Sequence, residues 1–223
     1  MNNGWREITT AVLSGALFFT SHAMASDGRD AYEVTITNLT QGEIFTPIMV
    51  ATHPRGVKLF ELGDSASTQL ATMAESGNTG PLSDYLLGEG ALDVATADDV
   101  LPPGGSVTLT VDTSGRNRYV SVASMLVPSN DAFFAVNGVK GPRGHRASTV
   151  FSPVYDAGSE TNDELCVSIP GPPFICAGEG FNVADGEGYV YIHPGIHGVG
   201  DLIAANHDWR NPAAKITIRF ISD

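Results

Sequence analysis

Alternating apolar and polar residues run through most of the chain and predict an all-β fold. The segment EVTIT (33–37) shows the period of two most clearly. Similar segments predict further strands at 47–52, 106–112, 119–127, 132–136, 188–192 and 215–221. Gly- and Pro-rich stretches between them, such as LPPGGS (101–106), predict loops. With no internal repeat, the pattern favours one antiparallel β-sandwich domain with several long loops.

One segment departs from the period of two. Leu70, Met73 and Ala74 follow the i, i+3, i+4 spacing of a helix face, and Gly77 is a typical residue to end that helix. A second short helical turn is expected near Pro81. The sequence therefore predicts a β-sandwich with a short helical insertion.

The first 25 residues predict a signal peptide. An uncharged apolar core at 11–19 precedes Ala23-Met24-Ala25, which fits the A-x-A pattern for cleavage after Ala25. This core is shorter than the ~20 apolar residues that span a bilayer. We therefore expect residues 26–223 to form one exported domain, periplasmic or secreted, that is not an integral membrane protein.

The net charge and the cysteine content indicate which classes of partner and which cellular compartment to expect. The formal net charge is −13, which disfavours nucleic acid and anionic lipid and makes cations the natural small ligands. Cys166 and Cys176 are the only cysteines, and in an oxidising compartment such a pair predicts a disulfide. Two free thiols are the alternative, whereas the nine-residue spacing fits no common zinc motif.

The segment DAGSETNDE (156–164) concentrates acidic residues. Gly158 allows a sharp turn, so Asp156 and Glu160 can point at one centre, and Asp131 could add a third carboxylate from a distant loop. Calcium takes about 6–8 oxygen ligands of this kind. The EF-hand pattern is absent, and an acidic loop that is simply solvated is the alternative on composition alone.

Several longer segments resemble the spondin N-terminal domain family in its bacterial form. They occur in order from about residue 32 to the end of the chain. They are FTPIMVATHP (45–54), LFELGDSAS (59–67), MAESGNTGPL (73–82), SMLVPSNDAF (124–133), DAGSE (156–160), HPGIHGVGDL (193–202) and HDWRNPAAKITIRF (207–220).

This resemblance implies a C2-like antiparallel β-sandwich that binds one calcium ion at a loop end. The ligand aspartates of a Ser-Pro-Asp and an Asp-Ala-Gly-Thr-Asp motif in animal relatives fall on Asp131, Asp156 and Glu160. Glu160 is a departure from the family pattern, and its longer arm leaves its role as a ligand open. Adhesive relatives imply a non-enzymatic module whose unknown partner is an extracellular or envelope protein or a glycan.

The histidines suggest an alternative, a zinc-dependent hydrolase. His193 and His197 are four residues apart, but Pro-Gly-Ile between them forbids the helix of a zinc protease, and the general-base Glu is missing. A zinc site built from these loops with His53 or His207 stays possible. The competing interpretation is that the histidines pin loops together, with Trp209 as a buried anchor. No G-x-S-x-G elbow or Walker loop occurs in the sequence, so we expect no enzyme.

Overall fold

The computed structural model describes residues 30–182 and 185–222, so the predicted signal peptide at 1–25 lies outside the described residues. The described chain is mostly β, with 35% strand and 12% helix. In chain order the elements are β1 (Ala31–Asn38), β2 (Ile44–Phe45), β3 (Met49–His53), α1 (Thr68–Ser76), α2 (Gly80–Gly88), β4 (Asp93–Thr96), β5 (Ser106–Asp112), β6 (Tyr119–Val127), β7 (Ala132–Lys140), β8 (Ala147–Ser152), β9 (Val154–Asp156), β10 (Tyr191–Ile192), α3 (Ala204–His207) and β11 (Ala214–Ile221).

Two antiparallel sheets form a sandwich. The smaller sheet has the strand order β5-β1-β11-β8, and the larger has the order β10-β9-β7-β6-β3-β4, with β2 paired to one end of β6. The first and last strands of the described chain are neighbours, since β1 pairs with β11 from Ala31 opposite Ile221 to Asn38 opposite Ala214. The predicted antiparallel β-sandwich with short helices is confirmed.

The larger sheet is covered on both faces. Val122 and Phe134 belong to the core between the two sheets, whereas their neighbours Ala123 and Phe133 belong to a second core with residues of α1 and α2. Consecutive strand residues point to opposite faces. A strand covered on both sides therefore reads as a continuous apolar run, which is why β6 lacks alternation.

The helices cover the outer face of the larger sheet. The α1 helix begins after Ser67, whose hydroxyl accepts a hydrogen bond from the Leu70 N–H at 3.2 Å. It ends at Gly77, which has φ +70° and donates its N–H to the Met73 carbonyl at 2.9 Å. The predicted helix and its stop at Gly77 are confirmed, and the expected turn near Pro81 is a second nine-residue helix.

The chain changes sheets at Pro153. The β8 strand pairs with β11 in the smaller sheet, and β9, which follows after one residue, pairs with β7 in the larger sheet. Proline has no backbone N–H to leave unpaired at such a step. Ser152 fixes the corner, because its hydroxyl accepts from the Ala135 N–H at 3.0 Å and donates to the Ala135 carbonyl at 2.8 Å. This step brings the end of β9 beside the start of β7.

The strands predicted at 106–112 and 119–127 coincide with β5 and β6. The predictions at 33–37, 47–52, 132–136 and 215–221 overlap β1, β3, β7 and β11. Of the predicted strand at 188–192, only Tyr191–Ile192 is a strand. The sequence pattern missed β2, β4, β8, β9 and α3, which have two to six residues each and are too short to show a period.

Candidate functional site

Asp131 and Asp156 lie side by side at one end of the larger sheet. Asp131 immediately precedes β7, Asp156 ends β9, and Ala132 is paired with Asp156 in the antiparallel register. The Ala157 N–H donates to the Asp131 backbone carbonyl at 3.3 Å. Both aspartates are fully buried. The structure thus brings together two predicted site residues that are 25 positions apart in sequence.

The turn after β9 wraps around the Asp131 carboxylate. Asp131 Oδ2 accepts hydrogen bonds from the Ser159 N–H at 2.8 Å, the Glu160 N–H at 3.1 Å and the Ser159 hydroxyl at 3.2 Å. Asp131 Oδ1 is buried and has no hydrogen-bond partner in the described part of the chain. One side of this carboxylate is therefore satisfied by backbone, and the other side is free to bind a ligand.

Both carboxylate oxygens of Asp156 accept hydrogen bonds. Oδ1 accepts from the Gly158 N–H at 2.8 Å, and Oδ2 accepts from the Asn162 side-chain amide at 2.6 Å. Gly158 has φ +64°, and a Cβ at this position would overlap the backbone of Tyr189. The sharp turn that the sequence predicted at Gly158 is therefore present, and it requires glycine for both conformation and space.

Burial disfavours the charged forms of both aspartates, and neighbouring acidic groups act in the same direction. Burial and then the charge of Asp156 raise the pKa of Asp131 well above its usual range, although backbone hydrogen bonds from Glu160 and Ser159 lower it in part. Burial also raises the pKa of Asp156, against the hydrogen bonds from Asn162 and Gly158. The site therefore favours any ligand that carries positive charge.

Basic side chains do not supply that charge. Within residues 30–182 and 185–222, neither Asp131 nor Asp156 forms an ion pair with lysine or arginine. His193 Nε2 lies 3.6 Å from Asp156 Oδ2, but burial lowers the pKa of His193 to about 3, so its ring is neutral. Among the residues that the structure describes, the two buried carboxylates therefore have no charged basic partner.

Glu160 is also buried, and the charges of several acidic residues act on its carboxyl group. Burial and then the charge of Glu75 raise the pKa of Glu160 to about 7, and the charges of Asp163 and Glu179 act in the same direction. No group of three or more His, Cys, Asp or Glu side chains is arranged as a metal cluster among the described residues. The role of Asp131, Asp156 and Glu160 as ligands stays a prediction.

The histidines of the alternative interpretation occupy separate environments. His193 is buried and packs against Trp209, with the ring centroids 4.9 Å apart and the ring planes tilted by 57°. Its Nε2 lies 3.2 Å from the Asn162 amide oxygen. His53 on β3 contacts Ser121 Oγ at 2.8 Å instead. His207 lies 3.5 Å from Glu43, and His197 is exposed at the surface. Trp209 is buried as predicted.

The loops around the site are tied together. The predicted disulfide between Cys166 and Cys176 is confirmed. Glu164, which is buried, accepts from the His197 N–H at 2.6 Å and from the Val199 N–H at 2.8 Å, and so joins the loop after β9 to the loop after β10. Asp201 Oδ2 accepts from the Cys166 N–H at 2.9 Å in the same region.

Sequence reasoning missed three residues that build the site. Asn162 holds Asp156, and Asn130 accepts from the Glu164 N–H at 3.1 Å. Asn162 and Glu164 lie inside the acidic segment and Asn130 beside Asp131, so their position was a signal. Their roles as hydrogen-bond partners become visible only in the folded chain.

No helix in the described residues is long and apolar enough to cross a membrane. None of the curated proteins compared with the chain matches it. The family model Spondin_N matches residues 36–151, which is just over half of the chain and includes Asp131. The chain belongs to the Spondin_N family.

Proposed function

We propose that this domain is an exported, calcium-stabilised binding module and not an enzyme. Asp131 and Asp156 would hold one calcium ion at the loop end of the larger sheet, with Glu160 as the third predicted carboxylate. The observation that carries the proposal is the pair of adjacent, fully buried aspartates without a basic partner in the described chain.

The donor set fits a hard cation. Asp131 Oδ1 is buried and unpartnered, and burying an ionised carboxylate without a partner costs several kcal/mol or shifts its pKa. Calcium accepts carboxylate, backbone carbonyl, amide and water oxygens, so two aspartates can anchor it without a third acidic ligand. When bound, the ion would supply the positive charge that the protein side chains do not.

Calcium would act as a structural staple. The turn that follows Asp156 also binds Asp131 through Ser159 and Glu160, so an ion between the aspartates would fix two loops at once. Binding to the folded state alone stabilises it by about 2.7 kcal/mol at a hundredfold excess of free calcium over Kd. Extracellular calcium modules commonly have Kd values of about 10⁻⁴ to 10⁻³ M.

The family and the disulfide support an exported binding role. The Spondin_N domain is typically a non-catalytic module, and a disulfide is consistent with an extracellular location. Fixed loops at one end of a sandwich are a usual place for contacts with a partner. We therefore propose that the loops meet an extracellular or envelope protein or a glycan.

Thermal melts of variants test the calcium site. At a hundredfold excess of calcium over Kd, about 10–100 mM for Kd values of about 10⁻⁴ to 10⁻³ M, the unaltered chain at pH 7.5 should melt about 5–10 °C higher than in EDTA, because about 2.7 kcal/mol corresponds to such a shift in a domain of this size. Asp131→Asn and Asp156→Asn should lose this gain. Asp84→Asn, at an exposed position of α2, should keep it.

Without calcium, the aspartate variants should no longer melt below the unaltered chain. Because each substitution removes one of two buried like charges, Asp131→Asn should melt no lower than the unaltered chain in EDTA. A melt that does not respond to calcium, or responds equally in Asp131→Asn, would contradict the proposed site. Stoichiometric zinc lost on substitution of His193 would instead favour the hydrolase alternative.

A further inference from the structure

Most lysine and arginine residues of the described chain lie at the end of the sandwich opposite Asp131 and Asp156. They occur at the last residue of β7 and in three loops, between β3 and α1, between β5 and β6, and between β7 and β8. They are Arg55, Lys58, Arg116, Arg118, Lys140, Arg143 and Arg146. In a chain with a formal net charge of −13, this grouping makes the two ends of the molecule electrically different.

Strand pairing brings these loops together. Tyr119, the first residue of β6, is opposite both His53, the last residue of β3, and Lys140, the last residue of β7. Arg118 precedes β6, and its carbonyl accepts a hydrogen bond from the Gly141 N–H at 2.7 Å. Basic residues from separate loops therefore lie beside one another on one surface.

Two of these loops are fixed by hydrogen bonds at their bases. Tyr32 on β1 is fully buried, and its hydroxyl donates to the Pro142 carbonyl in the loop between β7 and β8 at 3.2 Å. In the loop between β5 and β6, the Thr113 hydroxyl donates to the Asn117 carbonyl at 2.5 Å. The fold therefore holds the backbone that carries these basic side chains in place.

Five of the cations have no acidic partner among residues 30–182 and 185–222. We call these five the basic end; they are Arg116, Arg118, Lys140, Arg143 and Arg146. All are exposed except Arg118, which is half-buried and whose Nη1 has no hydrogen-bond acceptor in the described chain. Asp30 and Asp112 lie at the base of the loop between β5 and β6 and reduce the charge of the basic end, but two carboxylates do not cancel five cations.

The acidic end of the molecule is too distant to oppose this charge. The nine-residue strand β7 begins directly after Asp131 and ends at Lys140. Nine strand residues span about 30 Å, whereas interactions between exposed charges are largely screened beyond about 8 Å at physiological salt. An anion at the basic end therefore meets five cations and not the net charge of the whole chain.

The shape of this end suits an anionic sugar polymer. Arg55, Tyr119 and Asn137 line one depression beside the basic end. An aromatic residue next to guanidinium and amide groups suits a sugar unit, which has apolar C–H faces as well as hydroxyl groups. Arginine also donates paired hydrogen bonds to carboxylates and other oxyanions. A planar anionic membrane fits less well, because it would also approach the acidic sides of the chain.

We propose that the basic end binds a linear anionic polysaccharide, whose carboxylate or sulfate groups contact Arg116, Arg143 and Arg146. This narrows the glycan partner to an anionic class and adds a contact surface at the opposite end of the sandwich from the calcium site. The inference rests on the proposed exported location but is independent of calcium, since it uses none of the predicted ligands.

Binding of defined polymers tests the proposal. Fluorescence anisotropy in low salt and EDTA measures the affinity of the chain for labelled heparin, which is sulfated, for labelled polygalacturonate, which is carboxylated, and for neutral dextran. The unaltered chain should bind at least one of the two anionic polymers and not dextran, and added salt should weaken the binding.

Matched double variants locate the contact. Arg143→Ala/Arg146→Ala should raise the Kd roughly tenfold, the size expected from two exposed charge contacts. Arg210→Ala/Lys215→Ala removes the same charge away from the basic end and should change the Kd by less than about twofold. Arg116→Ala/Lys140→Ala provides a second loss if the first variant does not fold, which circular dichroism checks.

Three results would overturn the inference. They are no binding to either anionic polymer, an equal loss of affinity in the basic-end and control variants, and binding to phosphatidylglycerol vesicles without binding to the polymers, which would indicate a membrane instead. The calcium site is tested separately by the melts. Polymer binding in EDTA by a chain whose melt ignores calcium would support the basic end and contradict the calcium site.

Discussion

Glu43 is fully buried just before β2, and neither of its carboxylate oxygens has a hydrogen-bond partner among the described residues. Burial raises the pKa of Glu43 to about 7, and the nearby Asp208 acts in the same direction. His207 opposes the shift, since its Nδ1 lies 3.5 Å from Glu43 Oε1. The carboxyl group of Glu43 is therefore partly protonated at neutral pH. The sequence around it shows only a polar residue before a strand.

Glu43 should make stability depend on pH. Its folded pKa of about 7 exceeds the unfolded value of 4.5, so its contribution is fully present below pH 4.5 and is lost as the pH rises through 7. Glu43→Gln stays neutral at every pH. The free energy of unfolding of this variant, relative to that of the unaltered chain, should therefore rise between pH 4.5 and pH 8, by about 3 kcal/mol at most. Urea unfolding at pH 5 and pH 8 measures the difference.

The control for this prediction is the exposed Glu89. Glu89→Gln should change the free energy of unfolding little, and by similar amounts at both pH values. A Glu43→Gln effect that is equal at pH 5 and pH 8 would show that Glu43 does not titrate in this range.

Gly158 is a second residue whose type is fixed by its surroundings in the fold. Gly158→Ala adds both a Cβ at φ +64° and an overlap with the Tyr189 backbone, so we expect a loss of more than 2 kcal/mol in unfolding free energy. Gly115→Ala has a similar φ, +51°, but meets no atom within 4 Å, and should cost only about 1–2 kcal/mol. Equal losses in the two variants would rule out the overlap as a cause.

At the scale of elements, α1 has clear local signals at both ends. Ser67 caps the first turn and Gly77 ends the helix in the left-handed conformation. These signals are local in sequence, which is why both the helix and its end were predicted. The β8 and β9 strands have no such signal, because the switch between sheets at Pro153 depends on β11 and β7, which are distant in sequence.

Removing the Ser67 cap should destabilise the domain modestly. Ser67→Ala leaves the Leu70 N–H without its acceptor and should lower the unfolding free energy by about 1 kcal/mol, measured by urea denaturation. Ser67→Asp should restore it, since aspartate also caps helices. Thr68→Ala, at the exposed first helical position, should be neutral or slightly stabilising because alanine is the better helix former. A loss in Thr68→Ala equal to that in Ser67→Ala would argue against the cap.

At the scale of the whole molecule, long loops are fixed by few regular elements. Between β9 and β10 the chain runs for 34 residues, from 157 to 190, without a helix or strand in its described part. The Cys166–Cys176 disulfide closes a loop within this segment, and the buried Glu164 ties the segment to the loop after β10. The proposed calcium ion would add a further tie at the start of the same segment, where Asp156 ends β9.

The disulfide should contribute about 3 kcal/mol of stability. Closing a loop with a sequence separation of 10 removes conformational freedom mainly from the unfolded chain. The double variant Cys166→Ser/Cys176→Ser should lower the unfolding free energy by about that amount. Reductant should produce the same loss in the unaltered chain and none in the double variant. If reductant also lowered the unfolding free energy of the double variant, the loss would come from the reagent itself and not from the disulfide.

The sequence by itself determined the class of fold, most of the long strands, the helix ending at Gly77 and the disulfide partners. These follow from local periodicity, local caps and the count of cysteines, which need no tertiary information. It also pointed to Asp131 and Asp156, through motifs that resemble the spondin family. Their adjacency depends on the pairing of β7 with β9, which local pattern does not report.

Only the tertiary structure decided which acidic residues lose their water. From the sequence, no prediction was made for Glu75, and Glu160 was expected to be a third ligand beside Asp131 and Asp156. Both glutamates are buried in the folded chain, and the charge of Glu75 adds to burial in raising the pKa of Glu160 to about 7. Burial and charge–charge coupling act between residues far apart in sequence, so they follow from the three-dimensional arrangement and not from the order of residues.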